Sequence, residues 1–311
     1  MTDATLTATT PAAPTVAATP TRSAFGDIWH QFRAHKGGVV GLGVFVFIVL
    51  AVYVGPFIHT VAPNAINIRD KNQWPSLAHP FGTDNLGKDM LAQVLAGGRI
   101  SLAVGFTAML LALFVGTVVG LLSGYFRRID GPLMRLTDLF LALPLLPLLL
   151  VVIMLFRDTL RSAFGPETGI FFLVVFVIGI TSWMHTARIV RGDVLAVKSQ
   201  EFVLAAKSSG MREYRIVLRH ILPNVLSSIM VSATLGIASA IITESALSFL
   251  GLGFPSDFPT WGRLLFDGAN FLQLTPSRVL WPGLAISATV LSVNYIGDAI
   301  RDALDPRALK H

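Results

Sequence analysis

The sequence predicts an all-α membrane protein with six transmembrane helices, and three observations lead there. Apolar residues fill 53% of the 311 positions, whereas Asp, Glu, Lys and Arg together supply 14%. A soluble domain carries roughly 25% charge, because charge is what a water-facing surface is built from. The apolar residues also gather in uninterrupted runs, and several reach the roughly 20 residues that a helix needs to cross a bilayer core about 30 Å thick. Finally, the net charge of +6 is concentrated in alternate loops, as topology dictates, rather than in a patch suited to nucleic acid. Cysteine is absent, which excludes disulfides, thiolate metal sites and cysteine nucleophiles.

Residues 1–22, almost entirely Ala, Thr and Pro, read as a disordered tail without the basic start and apolar core of a secretion signal. Over 23–36, Phe25, Ile28, Trp29 and Phe32 recur at helical spacing, with Arg33, His35 and Lys36 at the end. That pattern predicts an amphipathic interfacial helix, the alternative being a juxtamembrane linker. The domain over 37–311 then holds spans at about 38–59, 100–126, 133–156, 169–189, 223–250 and 279–300. Pro144 and Pro147 are expected to kink the third span by removing backbone donors. Gly105, Gly116, Gly120 and Gly124 lie in the second; the last three are four apart, the spacing that lets a neighbouring helix approach closely.

Orientation follows from the basic residues. With the N-terminus inside, the cytoplasmic segments hold Arg22, Arg33, Lys36, Arg127, Arg128, Arg135, Arg188, Arg191, Lys198, Lys207, Arg212, Arg215, Arg219, Arg301, Arg307 and Lys310, sixteen of the 24 Lys and Arg. This two-to-one bias puts both termini in the cytoplasm. Trp74, Trp183, Trp261 and Trp281 fall near span ends or in loops, where aromatic anchors belong.

The loop over 190–222, part of RIVRGDVLAVKSQEFVLAAKSSGMREYRIVLRHILPN at 188–224, is too long and charged for a minimal turn. It predicts a short helix over about Ser199–Ser209, ended by Gly210, and a second basic helix leading to Pro223. Glycine accepts the left-handed conformation that follows a helix end, and proline is tolerated at a helix start. A rigid cytoplasmic helix of this kind is what a motor subunit could push against.

Ala205-Ala206, Gly210 and Leu222-Pro223 resemble the EAA loop of binding-protein-dependent ABC importer permeases. Leu204 stands where that loop carries its name-giving Glu, with Glu201 one turn earlier, so the match implies steric docking through the Ala pair and Gly210. HPFGTDNLGKDMLAQVLAGGRISL (79–102), ESALSFLGLG (244–253), PTWGRLL (259–265), WPGLAI (281–286) and VNYIGDAIRDALDPR (293–307) are similar to the peptide and nickel class of that family. Lys88 replaces the family's Arg, and Ala92-Gln93 replace a common Ser-Arg pair. The resemblance covers roughly 24–308 and points to the C-type subunit of dipeptide and oligopeptide importers. It implies a type I importer permease in the cytoplasmic (inner) membrane of a prokaryote, with a cytoplasmic coupling helix. It also implies a homologous second permease, two cytoplasmic ATPase subunits or domains that hold ATP and Mg, and an extracytoplasmic solute-binding protein. No cofactor is expected in this chain. Coupling to the ATPase is assigned by the resemblance to Glu201, Leu204, Ala205, Ala206, Gly210, Leu222 and Pro223.

Single residues add little chemistry. Residues 82–89, GTDNLGKD, approach the phosphate-cradling pattern GxxxxGK[ST], but Asp89 replaces the magnesium-binding hydroxyl and no strand precedes them. Thr83 or Asp84 is expected instead to cap a short helix ending near Gly97-Gly98. Glu244 lies within the fifth span, where an ionisable group must pair or face water; it either lines the translocation path or makes a hydrogen bond between helices. Asn294 is a second candidate for the path, although packing or capping explains it and Asp298 equally. Arg135 and Asp138 are expected to pair within one helix. His59, His79, His185 and His220 share no close ligand spacing, so no metal is expected.

No HExxH or GxSxG motif is present, and one deep carboxylate is not a catalytic dyad. The function that the resemblance implies is transport of di- or oligopeptides, driven by partner ATPases. The same machinery importing nickel or another peptide-like solute is the alternative. A gradient-driven secondary transporter would normally show an internal repeat and more midplane charge.

Overall fold

The computed structural model describes residues 24–304; the tail expected over 1–22, and Arg22, Arg307 and Lys310, lie outside them. The described residues are helical apart from loops and one isolated bridge between Thr83 and Asp89. Among the described residues five helices are long and apolar enough to cross a membrane, and a sharply bent pair makes a sixth crossing if taken as one.

Helix α1 (Ala24–Ala34) is docked rather than free: Phe32 is buried against Ala299 and Ala303 of the last helix. His35 then breaks the chain, and its Nδ1 accepts the Gly38 amide at 3.0 Å to start α2 (Lys36–Ile58). Helix α2 lies against the last helix so closely that a Cβ on Gly41 would sit 2.8 Å from the Ser292 carbonyl oxygen.

Helix α3 (Met90–Tyr125) starts ten residues before the expected Ile100. Its cap is Asp89, whose carboxylate accepts the Ala92 amide at 2.8 Å, and not Thr83 or Asp84. Gly97 and Gly98 do not end it. A Cβ on Gly97 would lie 3.2 Å from the Thr260 backbone, and one on Gly98 2.8 Å from the Trp261 ring, so both glycines serve close packing. At 1.5 Å per residue, its 36 residues extend about 54 Å and project past an apolar core of about 30 Å.

The expected kinked span over 133–156 is instead two helices, α4 (Arg127–Ala142) and α5 (Leu145–Phe164), bent by 89°. Pro144 accounts for the break: it offers no N–H, and in a continuous helix its ring would clash with the Phe140 carbonyl. Pro147 falls in the first turn of α5, where amides lack intrahelical partners anyway. Asp138 does not pair with Arg135; its carboxylate meets Arg188 of α6 (Pro166–Val197). One turn further along α6, Arg191 forks onto Asp130 at 2.6 and 2.8 Å, so two ion pairs strap α4 to α6.

Helices α3 and α6 run side by side in the same direction. A Cβ on Gly116 would lie 2.7 Å from the Trp183 carbonyl oxygen, one on Gly120 2.8 Å from that of Ala187, and one on Gly124 3.1 Å from that of Arg191. The four-residue stripe thus meets successive turns of α6 with almost no gap. Trp183, expected near an interface, is buried in this packing and meets Phe140 edge to face. Trp261 is likewise buried, its indole N–H donating to the Val94 carbonyl at 2.9 Å. Trp261 gains more from burial with its polar edge satisfied than from a headgroup position.

After α7 (Glu201–Ser208) and α8 (Glu213–Ile216), a π-helical segment (Val217–Ile221) leads into α9 (Leu222–Phe249) without a stop. Pro223 therefore does not begin a separate helix. It cannot donate to Arg219, and the wider turn before it, with the Leu222 amide reaching Val217, absorbs the missing bond. A short helix the sequence reading did not anticipate, α10 (Trp261–Ala269), precedes the last helix, α11 (Ser277–Leu304).

The glycine stripe sets up a direct test. Gly120→Ala forces a methyl against Ala187 and Val190, and overpacking of that kind costs roughly 1–3 kcal/mol. Gly192→Ala on α6 meets nothing within 4 Å and gains up to about 1 kcal/mol of helix propensity. Thermal unfolding in detergent should show the first variant below the parent and the second at or above it.

Candidate functional site

The loop assigned to coupling is a helix held at one edge and bare at the other. Val203 is buried and Ala206 half-buried, and they join Val190 and Val194 of α6, Ile216 of α8 and Val225 of α9 in one apolar cluster. The opposite face presents Glu201, Phe202, Leu204 and Ala205, with Leu204 51% exposed. Phe202, Leu204 and Ala205 thus leave one apolar face of a short, anchored helix uncovered.

The end of α7 is fixed by Gly210 at φ +74. The Met211 amide reaches the Ala206 carbonyl at 3.2 Å, and the Gly210 amide reaches that of Lys207 at 3.1 Å. These two crossing bonds form a Schellman motif, which needs the left-handed residue that glycine supplies most cheaply. Met211 folds back onto the same apolar cluster. Lys198, just before α7, donates to the Gly124 carbonyl at 2.6 Å and ties the loop to the end of α3.

At the other end of the bundle Glu244 is fully buried. Its oxygens accept from Ser248 at 2.8 Å and from Ser101 at 3.1 Å, and the Ser101 hydroxyl in turn accepts the Trp261 amide at 3.2 Å. The carboxylate therefore joins α9, α3 and α10 through one connected set of bonds. Nearby, His59 and His79, far apart in sequence, converge on the two oxygens of Asp89 at 3.0 and 2.7 Å. Burial pushes the Asp89 carboxyl up, but the Ala92 amide, His79 and His59 together hold it below the usual carboxylate range. Among the described residues no group of three or more His, Asp or Glu is arranged to hold a metal. The phosphate-loop lookalike is occupied from within: Asp84 accepts the amides of Leu86 and Lys88 at 2.8 Å each.

The chain matches known family models along most of its length. Residues 112–310 match the binding-protein-dependent transport system inner membrane component, and 23–75 match the N-terminal transmembrane domain of oligopeptide transport permease C. The chain belongs to this permease family. It is 38% identical over 292 residues to the dipeptide transport system permease protein DppC of Alkalihalophilus pseudofirmus, covering 94% of this chain and 91% of the relative. The oligopeptide transport system permease protein OppC of Bacillus subtilis is 36% identical, with coverage of 93% and 91%. The glutathione transport system permease protein GsiD of Pectobacterium atrosepticum is 35% identical, with coverage of 92% of each. Among solved structures, a chain of the MetNI methionine ABC transporter in an inward-facing form superimposes with a TM-score of 0.57. That match covers 70% of this chain and 98% of the other at 15% identity, a likeness of fold.

Within the permease, Ala206 and Leu222 pack on one apolar cluster, Gly210 ends α7 in the open, Pro223 stands in the first turn of α9, and Glu201, Leu204 and Ala205 lie on the bare side of α7. Glu244 and Asn294 are not brought together: they sit on α9 and α11, and neither lines the cavity of about 650 Å³ between α3, α6 and α9. Its polar lining includes Thr181, His185, Ser232, Ser239 and Thr243, none of which the sequence reading selected. Ser232, Ser239 and Thr243 recur along one side of α9, a weak signal, because hydroxyls in apolar helices usually bond their own backbone. Thr243 does so, to the Ser239 carbonyl at 2.8 Å, whereas the Ser232 hydroxyl is buried without a partner.

Glu244→Gln keeps the acceptor oxygen and should match the parent in thermal stability. Glu244→Leu strands the Ser101 and Ser248 hydroxyls and should lower stability by about 1–3 kcal/mol; loss of transport in the Gln variant at full stability would instead mark a solute contact. Asp89, held below the usual carboxylate range, stabilises the fold above that range, and this contribution is lost as pH falls through the lowered value. Asp89→Asn should therefore be less stable than the parent by about 1–2 kcal/mol at neutral pH. The difference should close under acid below the ordinary carboxylate pKa, read by unfolding curves of both proteins across pH.

Proposed function

We propose that this chain is the permease subunit of an ATP-driven importer of peptides, moving di- or oligopeptides by alternating access beside a homologous second permease. The observation that carries the reading is the capped, apolar-faced helix α7, seated on the ends of α6 and α9 by Val203 and Ala206. Its exposed Leu204 and Ala205 suit the groove of an ATPase subunit, and its anchoring makes it a lever, because a displaced α7 must carry α6, α8 and α9 with it. In this reading the α7 end and both termini face the cytoplasm, and the loop between α2 and α3 faces a solute-binding protein. ATP and Mg are held by the partner subunits, and this chain shifts between two packings according to which partner state binds it better. The cavity between α3, α6 and α9 is the candidate stretch of the solute path, and its hydroxyls suit peptide groups. The names of the dipeptide, oligopeptide and glutathione relatives support peptide cargo over nickel.

Gly210→Val tests the lever. The site is open, with nothing within 4 Å of an added Cβ, so the whole cost is the left-handed backbone, of order 1–3 kcal/mol for a β-branched residue. Membrane insertion and assembly should persist, while peptide uptake falls relative to ATP hydrolysis in proteoliposomes. Normal coupled uptake by this variant would overturn the role of α7. Co-purification of an ATPase with the intact chain is the companion check, since a gradient-driven carrier would act alone.

A further inference from the structure

A cavity of about 280 Å³ lies where the loop before α3, helix α10 and the start of α11 meet, away from α7 and from the cavity between α3, α6 and α9. Two buried cations line it. Arg278 is 3% exposed: its guanidinium lies 4.1 Å from the Phe271 ring centre, and Nη2 donates to Asn85 Oδ1 at 2.9 Å and, more loosely, to the Asp267 carbonyl at 3.4 Å. Its Nη1 is buried with no partner among the described residues. Lys88 is 8% exposed, and neither its ammonium nor the Arg278 guanidinium has a carboxylate within 4.0 Å among the described residues.

Two acids also line the cavity, and both are engaged. Asp84 accepts the amides of Leu86 and Lys88 and, at 3.3 Å, the Gln93 side chain. Asp267 is held by Arg263 at 2.9 Å. With Arg263 counted beside Asp267, the group retains one uncompensated positive charge. A cation this deep is costly unless an anion or a hydrogen-bonding partner meets it, and a guanidinium with a free nitrogen on a cavity that an ammonium-bearing side chain also lines suits a carboxylate.

We propose that this cavity is a binding site for one carboxylate, received by Arg278 Nη1 and the Lys88 ammonium. Leu86, Met90, Leu264 and Phe266 line the rest and suit the apolar part of whatever carries that group. Its volume falls just below the roughly 300–1,000 Å³ of drug-sized ligand sites, so the occupant is a small carboxylic acid or the end of a longer chain. The carboxylate is supplied either by a free small peptide or by an acidic side chain of a protein docking on this face. The site does not depend on the transport reading except in the last arm of its test.

The test titrates the assembled permease complex in lipid nanodiscs with acetate, with dialanine and with dialanine amide, following binding by saturation-transfer NMR. Saturable binding of acetate and dialanine, but not of the amide, is expected. Lys88→Gln should weaken it about tenfold and Arg278→Lys by a similar factor, as loss of one charge-assisted bond implies. Lys88→Gln removes no hydrogen bond seen in the fold, so its result stands even if Arg278 variants assemble poorly. Tighter binding of dialanine than of acetate assigns the carboxylate to a free peptide. Displacement of acetate by the unliganded solute-binding protein of the same system assigns it to a docked side chain. Absence of saturable acetate and dialanine binding, or binding untouched by Lys88→Gln and Arg278→Lys, overturns the proposal and leaves the cavity to water.

Discussion

Helices α3 and α6 touch backbone to backbone along Gly116, Gly120 and Gly124, and the geometry of the rest follows from that contact. In lipid, apolar side chains gain little by leaving one hydrocarbon surface for another, so close packing of small residues and interhelical polar bonds must hold helices together. The glycine stripe lets α6 come near enough for its far end to be tied down: Lys198 reaches the Gly124 carbonyl, and Arg188 and Arg191 hold α4. Helix α7 hangs from that fixed end. Its stiffness is inherited from α6 and α9 through Val203 and Ala206, since eight residues are too few to be a stable helix alone.

The two ends of the bundle are built differently. Around α7 the contacts are apolar, with a bare outer face and ion pairs at the margin. Around Glu244 the contacts are polar and buried, linking three helices through Ser101, Ser248 and Trp261. A buried network with every member satisfied specifies one arrangement strongly, because any other leaves charge or hydroxyls unpaired. The same end holds Asp89 between two histidines.

The short helix at 201–208 was legible in sequence because glycine at 210 punctuates it and the terminal bonds are local. The glycine stripe was legible because its period matches the helix. Pro144 announced a disturbance, but a proline says only that the helix cannot continue unchanged; the 89° turn is set by the ion pairs and ring packing that hold α4 on α6. Pro223 looked like a helix start and instead follows a π-helical segment, since the missing bond could be absorbed upstream. Asp138 found Arg188, fifty residues away, in place of its neighbour Arg135. Helix α10 was unread because its first residue, Trp261, is stabilised by Ser101 and Val94, partners remote in the chain.

The sequence by itself determined that this chain lives in lipid, that about six helices cross it, and where a short capped helix interrupts them. Those features depend on composition and on bonds that span a few residues. Tertiary structure alone decided which charges meet and what the glycines face. It brought His59 and His79 to one carboxylate, set Arg278 on Asn85, and left that arginine with a free nitrogen beside a cavity. Such pairings join residues from ten to nearly two hundred positions apart. They exist only once helices have packed, because a side chain's partner is fixed by distance in space and not by order along the chain.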